Sequence, residues 1–142
     1  LDWGLAKVWH QADARDDDED HEEVEGDPGM TGEGKLQGTV MYMSPEQVNR
    51  DPDISFGSDL YSMGALLYEI LTGTTPFQGD VVYKLLDQIR DDMPPDPRTV
   101  CAHPVPDALA ELAMQCLQKD PGARPDTADS LIRVLRNDWL ND

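Results

Sequence analysis

Positive charge is scarce in this chain. Eleven Lys and Arg stand against 29 Asp and Glu, a formal net charge of -18 at pH 7. Displacing counterions from nucleic-acid phosphates takes a basic surface, so the composition argues against nucleic acid as a partner and against docking to an anionic membrane. Cysteine is nearly absent. Cys101 and Cys116 form no ligand or disulfide pattern, and nothing in them calls for an oxidising compartment. Cys116 sits among apolar residues at helical spacing, which predicts a buried thiol. Hydrophobic residues make up only 39% of the 142 residues. That share predicts a modest core, or a part of the chain that stays unfolded. No apolar run is long enough to span a bilayer, and no signal-peptide pattern opens the chain. The expectation is a cytoplasmic chain without a membrane segment, whose parent could still be anchored through segments outside it. There is no strand of ordinary length and no internal repeat. The length allows one domain.

What is present divides into two regions. From about residue 10 to residue 37 the chain holds Asp16, Asp17, Asp18, Glu19 and Asp20, then Glu22, Glu23, Glu25 and Asp27, punctuated by glycines and Pro28. Like charges repel here, and too few apolar residues exist to offset the entropy of ordering, so a long disordered acidic loop is expected. From Ser44 onward the pattern is helical. Ser44-Pro45-Glu46-Gln47 has the form of a capping box with proline in the first turn. A second helix is expected from Ser58 or Asp59 to Thr72, with Leu60, Met63, Gly64, Leu67, Ile70 and Leu71 on one face and burial nearly all round, closed by Gly73. Asp80 is a candidate cap for a third helix carrying Val82, Leu85, Leu86 and Ile89. The prolines between Asp91 and Pro106 predict an irregular connector. A fourth helix carries Leu109, Leu112, Ala113, Cys116 and Leu117. A fifth begins near Asp126 or Thr127 and buries Ala128, Leu131, Ile132 and Leu135. His10, His21 and His103 lack metal-ligand spacing and read as surface residues.

Four short motifs in order carry a functional reading. Leu1-Asp2-Trp3-Gly4 resembles the kinase Asp-Phe-Gly motif, with Trp3 in place of Phe. Gly38-Thr39 followed by Tyr42-Met43-Ser44-Pro45-Glu46 resembles the end of a kinase activation segment. Asp59-Leu60-Tyr61-Ser62-Met63-Gly64, running to Leu71-Thr72-Gly73, resembles the central helix of the C-terminal lobe. Lys119-Asp120-Pro121-Gly122-Ala123-Arg124-Pro125 resembles the Arg-Pro signature before its last helix. Each is weak alone, and their order is what counts. The chain thus resembles the serine/threonine protein kinase domain, most nearly the bacterial kinases of eukaryotic type.

The resemblance implies a mainly α fold, the helical C-terminal lobe of a protein kinase without its N-lobe sheet or catalytic loop. Residues 1–46 would be the activation segment with its acidic insert, and 47–142 the helical lobe. It implies transfer of the ATP γ-phosphate to Ser or Thr hydroxyls of protein substrates, with ATP and Mg²⁺ as cofactors of the intact domain. Asp2 would ligate Mg²⁺, a hard cation suited to carboxylate and phosphate oxygens. Gly4 would permit the backbone flip of its motif. Thr39 would orient the acceptor hydroxyl through the catalytic Asp, which is expected upstream of Leu1. Thr31 is the candidate activating phosphosite. Glu46 and Arg124 would form a structural ion pair, and Asp59 would accept hydrogen bonds from the catalytic-loop backbone. The glycines at 29, 32 and 34 lack a flanking strand and do not form a nucleotide loop. With no such loop, strand Lys or catalytic loop in the sequence, a fragment inactive by itself is expected. Two other readings stay open: a pseudokinase docking or allosteric module on the same fold, and a non-kinase acidic interaction protein.

Overall fold

The computed structural model describes residues 38–139. Among these residues lie six α-helices and one 3₁₀ turn, residues 38–40 are also helical, and no strand occurs. The six are α1 (Pro45–Val48), α2 (Phe56–Thr72), α3 (Val82–Asp91), α4 (Pro97–Val100), α5 (Asp107–Cys116) and α6 (Ala128–Trp139), with the 3₁₀ turn at Pro121–Ala123 before α6. The mainly helical class expected from the sequence is the class observed.

α1 is a single turn, and its ends explain why it forms. The Ser44 hydroxyl accepts from the Gln47 amide at 3.3 Å, while the Gln47 side chain accepts from the Ser44 amide at 2.9 Å. That reciprocal bonding satisfies two otherwise orphaned donors. Arg50, at φ 54°, supplies the left-handed residue that turns the chain out of the helix.

α2 is the central element. It begins at Phe56, two to three residues before the expected start, because the Ser55 hydroxyl caps it by accepting from the Gly57 amide at 3.3 Å. Gly73, at φ 77°, closes it with a conformation that costs glycine little. The helix is not buried all round. Leu60, Tyr61, Gly64, Ala65, Leu67 and Tyr68 face the interior, whereas Met63, Leu66 and Ile70 are exposed. Apolar character marks a residue as able to be buried; which side the neighbouring helices cover decides the outcome.

Two clusters form the core. One gathers Val40, Tyr61, Ala65, Tyr68, Phe77, Leu85, Ile89 and Leu117, joining α2 to α3 and to the segment before α1. The other gathers Leu60, Leu67, Leu112, Ala113, Cys116 and Leu131, joining α2 to α5 and α6. α2 and α5 approach closely at Gly64, where a Cβ would stand 2.4 Å from the Cβ of Cys116. Only glycine fits there. Cys116 is fully buried, as its apolar setting predicts, and burial pushes its thiol up to about 11.

Three local expectations are corrected. Val81, not Asp80, stands at the N-cap of α3, with no side-chain cap bond, so that helix depends on burial of Leu85 and Ile89. The proline-rich connector contains the helical turn α4, whose first donors are met by the Asp96 carboxylate accepting from the Arg98 amide at 2.9 Å. Ile132 is exposed on α6, while Leu131 is buried and Val134 and Leu135 pack beside it.

Candidate functional site

The segment from Gly38 to Val48 is held against α2 at three depths. Val40 is buried in the first core cluster. The Ser62 hydroxyl donates to the Tyr42 carbonyl at 2.7 Å, and the Tyr42 hydroxyl donates to the Glu69 carboxylate. That bond to Glu69, with burial added, raises the Tyr42 phenol above its usual range. Deeper still, the Ser44 hydroxyl meets the Ser58 hydroxyl at 3.1 Å, and Ser58 donates onward to Glu46 at 2.7 Å.

Glu46 ends this chain of contacts on Arg124. The two meet in a bidentate pair, Nη1 to Oε1 at 2.6 Å and Nη2 to Oε2 at 2.9 Å. The other guanidinium donors reach backbone carbonyls: Nη1 to Gly57 at 2.7 Å, Nε to Gln118 at 2.8 Å and Nη2 to Lys119 at 3.1 Å. All five N–H groups of Arg124 are thus used. The group also lies 5.1 Å from the Tyr61 ring centroid, within cation–π range. Arg124 is 3% exposed and Glu46 8%, so this is a buried ion pair with its remaining polar valences filled. Burial works to raise the Glu46 carboxyl, but the bonds from Arg124 and Ser58 outweigh it and hold the carboxyl down to about 2.

Lys119 is a second organising cation with no local signal in the sequence beyond its place in the Arg-Pro motif. Its ammonium donates to the carbonyls of Gln88 at 3.3 Å and Ile89 at 2.5 Å, and lies 4.7 Å from the Phe77 ring centroid. Those carbonyls belong to the last turn of α3, so Lys119 caps the negative end of that helix from 30 residues away. Burial lowers its pKa to about 8, against the opposing pull of Asp92 and Asp91.

The site residues expected from the sequence fall in three groups. Glu46 and Arg124 are brought together. Thr39 and Asp59 are both exposed, Thr39 beside buried Val40 and Asp59 in the first turn of α2. Asp59 has no side-chain partner among the described residues. Asp2, Gly4 and Thr31, with Trp3, the acidic run and two of the three histidines, lie outside the described residues. His103 is exposed. No group of His, Cys, Asp or Glu among the described residues could hold a metal ion. No helix among them is long and apolar enough to cross a membrane.

The family model for the protein kinase domain matches residues 1–140. The chain is 34% identical over 137 residues to the serine/threonine-protein kinase pkn3 of Myxococcus xanthus, covering 96% of this chain and 23% of that protein. It is 38% identical over 109 residues to the serine/threonine-protein kinase PkaA of Streptomyces coelicolor, covering 77% of this chain and 19% of that one. With PknD of Protochlamydia amoebophila, another serine/threonine-protein kinase, identity is 34% over 143 residues, covering 96% and 14%. The chain therefore spans less than a quarter of the length of these curated relatives.

Proposed function

The chain belongs to the protein kinase domain family, and from that premise we propose that it is the activation-segment and helical-lobe part of a serine/threonine kinase. In this reading the whole protein, acting at a cytoplasmic location, transfers the γ-phosphate of ATP to Ser or Thr hydroxyls of protein substrates. The observation that supports it best is the way Gly38–Val48 is fastened. Phosphoryl transfer depends mostly on positioning and electrostatics, so the stretch that receives an acceptor hydroxyl needs a rigid base. Val40 in the core and Ser62 on the Tyr42 carbonyl, within the Thr39–Ser44 stretch, and Glu46 on Arg124 just after it supply such a base.

Within this reading Thr39 orients the acceptor, and its hydroxyl acts through the catalytic Asp of the whole protein. Glu46 and Arg124 hold geometry and take no part in the chemistry. Asp59, exposed at the start of α2, is available to accept from backbone amides of the catalytic loop. Asp2 is the carboxylate that would hold Mg²⁺. ATP with that ion supplies the phosphoryl group and the neutralisation of its charge. Thr31 is the phosphorylation site; a phosphate there needs cationic partners, and Lys35 is one close in sequence. The 142 residues alone are inactive, since their sequence contains neither a nucleotide-cradling loop nor a catalytic base in family form.

Two measurements test this. In the whole protein, Thr39→Ala should lower kcat by on the order of 10²-fold while the KM for ATP stays nearly constant; an equal change in both would remove Thr39 from its role. Incubating the 142-residue chain with labelled ATP and a basic protein substrate should give no transfer. Signal that Asp2→Ala abolishes would overturn the inactivity.

A further inference from the structure

Resting on the kinase reading and going further into it, we propose that Ser62 is a positioning residue for the phosphate acceptor: its hydroxyl is a reversible catch that selects the register in which the Thr39–Ser44 stretch meets the substrate. Val40 and Glu46 fasten the segment by their side chains. Ser62 grips its main chain, donating to the Tyr42 carbonyl at 2.7 Å. A grip on the main chain sets where the backbone lies along α2, and with it the direction of the neighbouring side chains.

Three observations carry this. First, Ser62 lies inside the 17-residue helix α2, where alanine would serve the helix better. Its hydroxyl reaches out of the helix to a segment 20 positions earlier, and that destination accounts for a serine here. Second, the same hydroxyl stands 3.2 Å from the Ser58 carbonyl, one turn back in its own helix. It carries a single proton. That proton can serve Tyr42 or fall back on Ser58, so release of the stretch leaves no donor unmatched. The bond to Tyr42 lies at the part-buried edge of the core, where water can take up the freed carbonyl. Third, Glu69 holds the other end of Tyr42, accepting from its hydroxyl. Residues 62 and 69 are two turns apart on one face of α2, so Tyr42 lies along the helix and is gripped at both ends. When Ser62 lets go, Glu69 keeps the ring in place and the stretch pivots instead of leaving. The two arrangements are discrete, and the shorter bond favours the held one, 2.7 Å against 3.2 Å. A substrate that binds the held register has an apparent affinity scaled by the fraction of molecules in it. Removing the hydroxyl lowers that fraction and leaves the chemistry at saturation untouched.

In the whole protein, with a histone mixture as acceptor, Ser62→Ala should raise the KM for the acceptor about fivefold, the worth of one hydrogen bond. The kcat and the KM for ATP should stay within about twofold. Ser62→Thr, which keeps a hydroxyl on the same carbon, should restore the KM. A merely structural loss would lower kcat with the folded fraction of enzyme and leave the KM as it was, and that result overturns the assignment. The hold is also read directly in the 142-residue chain. Tyr42–Met43 is the one Tyr-Met step in the sequence, so carbonyl-¹³C tyrosine combined with ¹⁵N methionine gives a single coupled signal. Its carbonyl shift should move in Ser62→Ala and return in Ser62→Thr; a signal that stays in place in Ser62→Ala refutes the catch whatever the kinetics. Transfer by the whole protein with an unchanged KM in Ser62→Ala overturns this inference alone, whereas no transfer by the unsubstituted whole protein overturns the kinase reading beneath it.

Discussion

Replacing Arg124 by methionine keeps the side-chain bulk and removes the charge. Glu46 is then left buried opposite an apolar group, and the carbonyls of Gly57, Gln118 and Lys119 lose their donor. Breaking one side of a buried ion pair costs about 3–5 kcal/mol, a large share of the stability of a domain this size. The carboxyl points the same way. Its pKa is held at about 2, well below the ordinary 4.5, so the fold favours the ionised form despite its burial. The sign follows from proton linkage. A carboxyl with a depressed folded pKa contributes stability that is fully present above about pH 4.5 and lost as pH falls towards 2. Urea unfolding of the helical circular-dichroism signal should therefore show Arg124→Met destabilised by about 3–5 kcal/mol at pH 7. The gap should narrow as pH drops through that window, towards the point near pH 2 at which Glu46 of the unsubstituted protein also takes up its proton. A Glu46→Gln, Arg124→Met cycle should recover part of the loss. A cost below about 1 kcal/mol at pH 7, typical of exposed pairs, would refute the reasoning, as would a gap that does not change with pH.

Gly64→Ala should cost about 1–3 kcal/mol by overpacking. Combining it with Cys116→Ala should give no relief, since the obstruction is the Cβ of Cys116 and not its sulfur; full rescue would contradict the geometry. With a thiol reagent at neutral pH, Cys101 should react and Cys116 stay protected until denaturant is added, because burial holds its thiol at about 11; equal rates would contradict this. After reductive methylation with labelled formaldehyde, the dimethyl signal of Lys119 should titrate with a midpoint of about 8. Its folded pKa is lowered, so its contribution to stability should rise between pH 8 and the unfolded value near 10.5; a midpoint of 10 or above would remove Lys119 from its buried position.

Much of the helical scaffold is legible in the sequence because its signals are local. Ser44, Pro45 and Gln47 sit within one turn, and Gly73 announces its own left-handed backbone. The errors arise where a local signal competes with a tertiary one. Asp80 is a good capping type, yet the chain enters α3 one residue later and relies on Leu85 and Ile89 instead. Phe56 is exposed and carries no periodic signal, so the first turn of α2 escapes notice. Met63, Leu66, Ile70 and Ile132 are apolar in composition and exposed in place, which no single-chain periodicity can show. The partnership of Glu46 with Arg124 spans 78 positions and is suggested only by family resemblance. Lys119 eludes sequence reasoning for a different reason: its partners are backbone carbonyls, which every residue type offers.

The five occupied donors of Arg124 also bear on how the molecule comes apart. They connect stretches at 46, 57 and 118–119 to a single side chain. None of these stretches can open while the guanidinium stays bound, and freeing the guanidinium releases all three. Hydrogen exchange should report this as one cooperative unit, with amides of 44–51 and 118–124 opening together at the same free energy and not fraying in sequence from an end. The stretch proposed to receive a substrate would then be no looser than the helices beneath it.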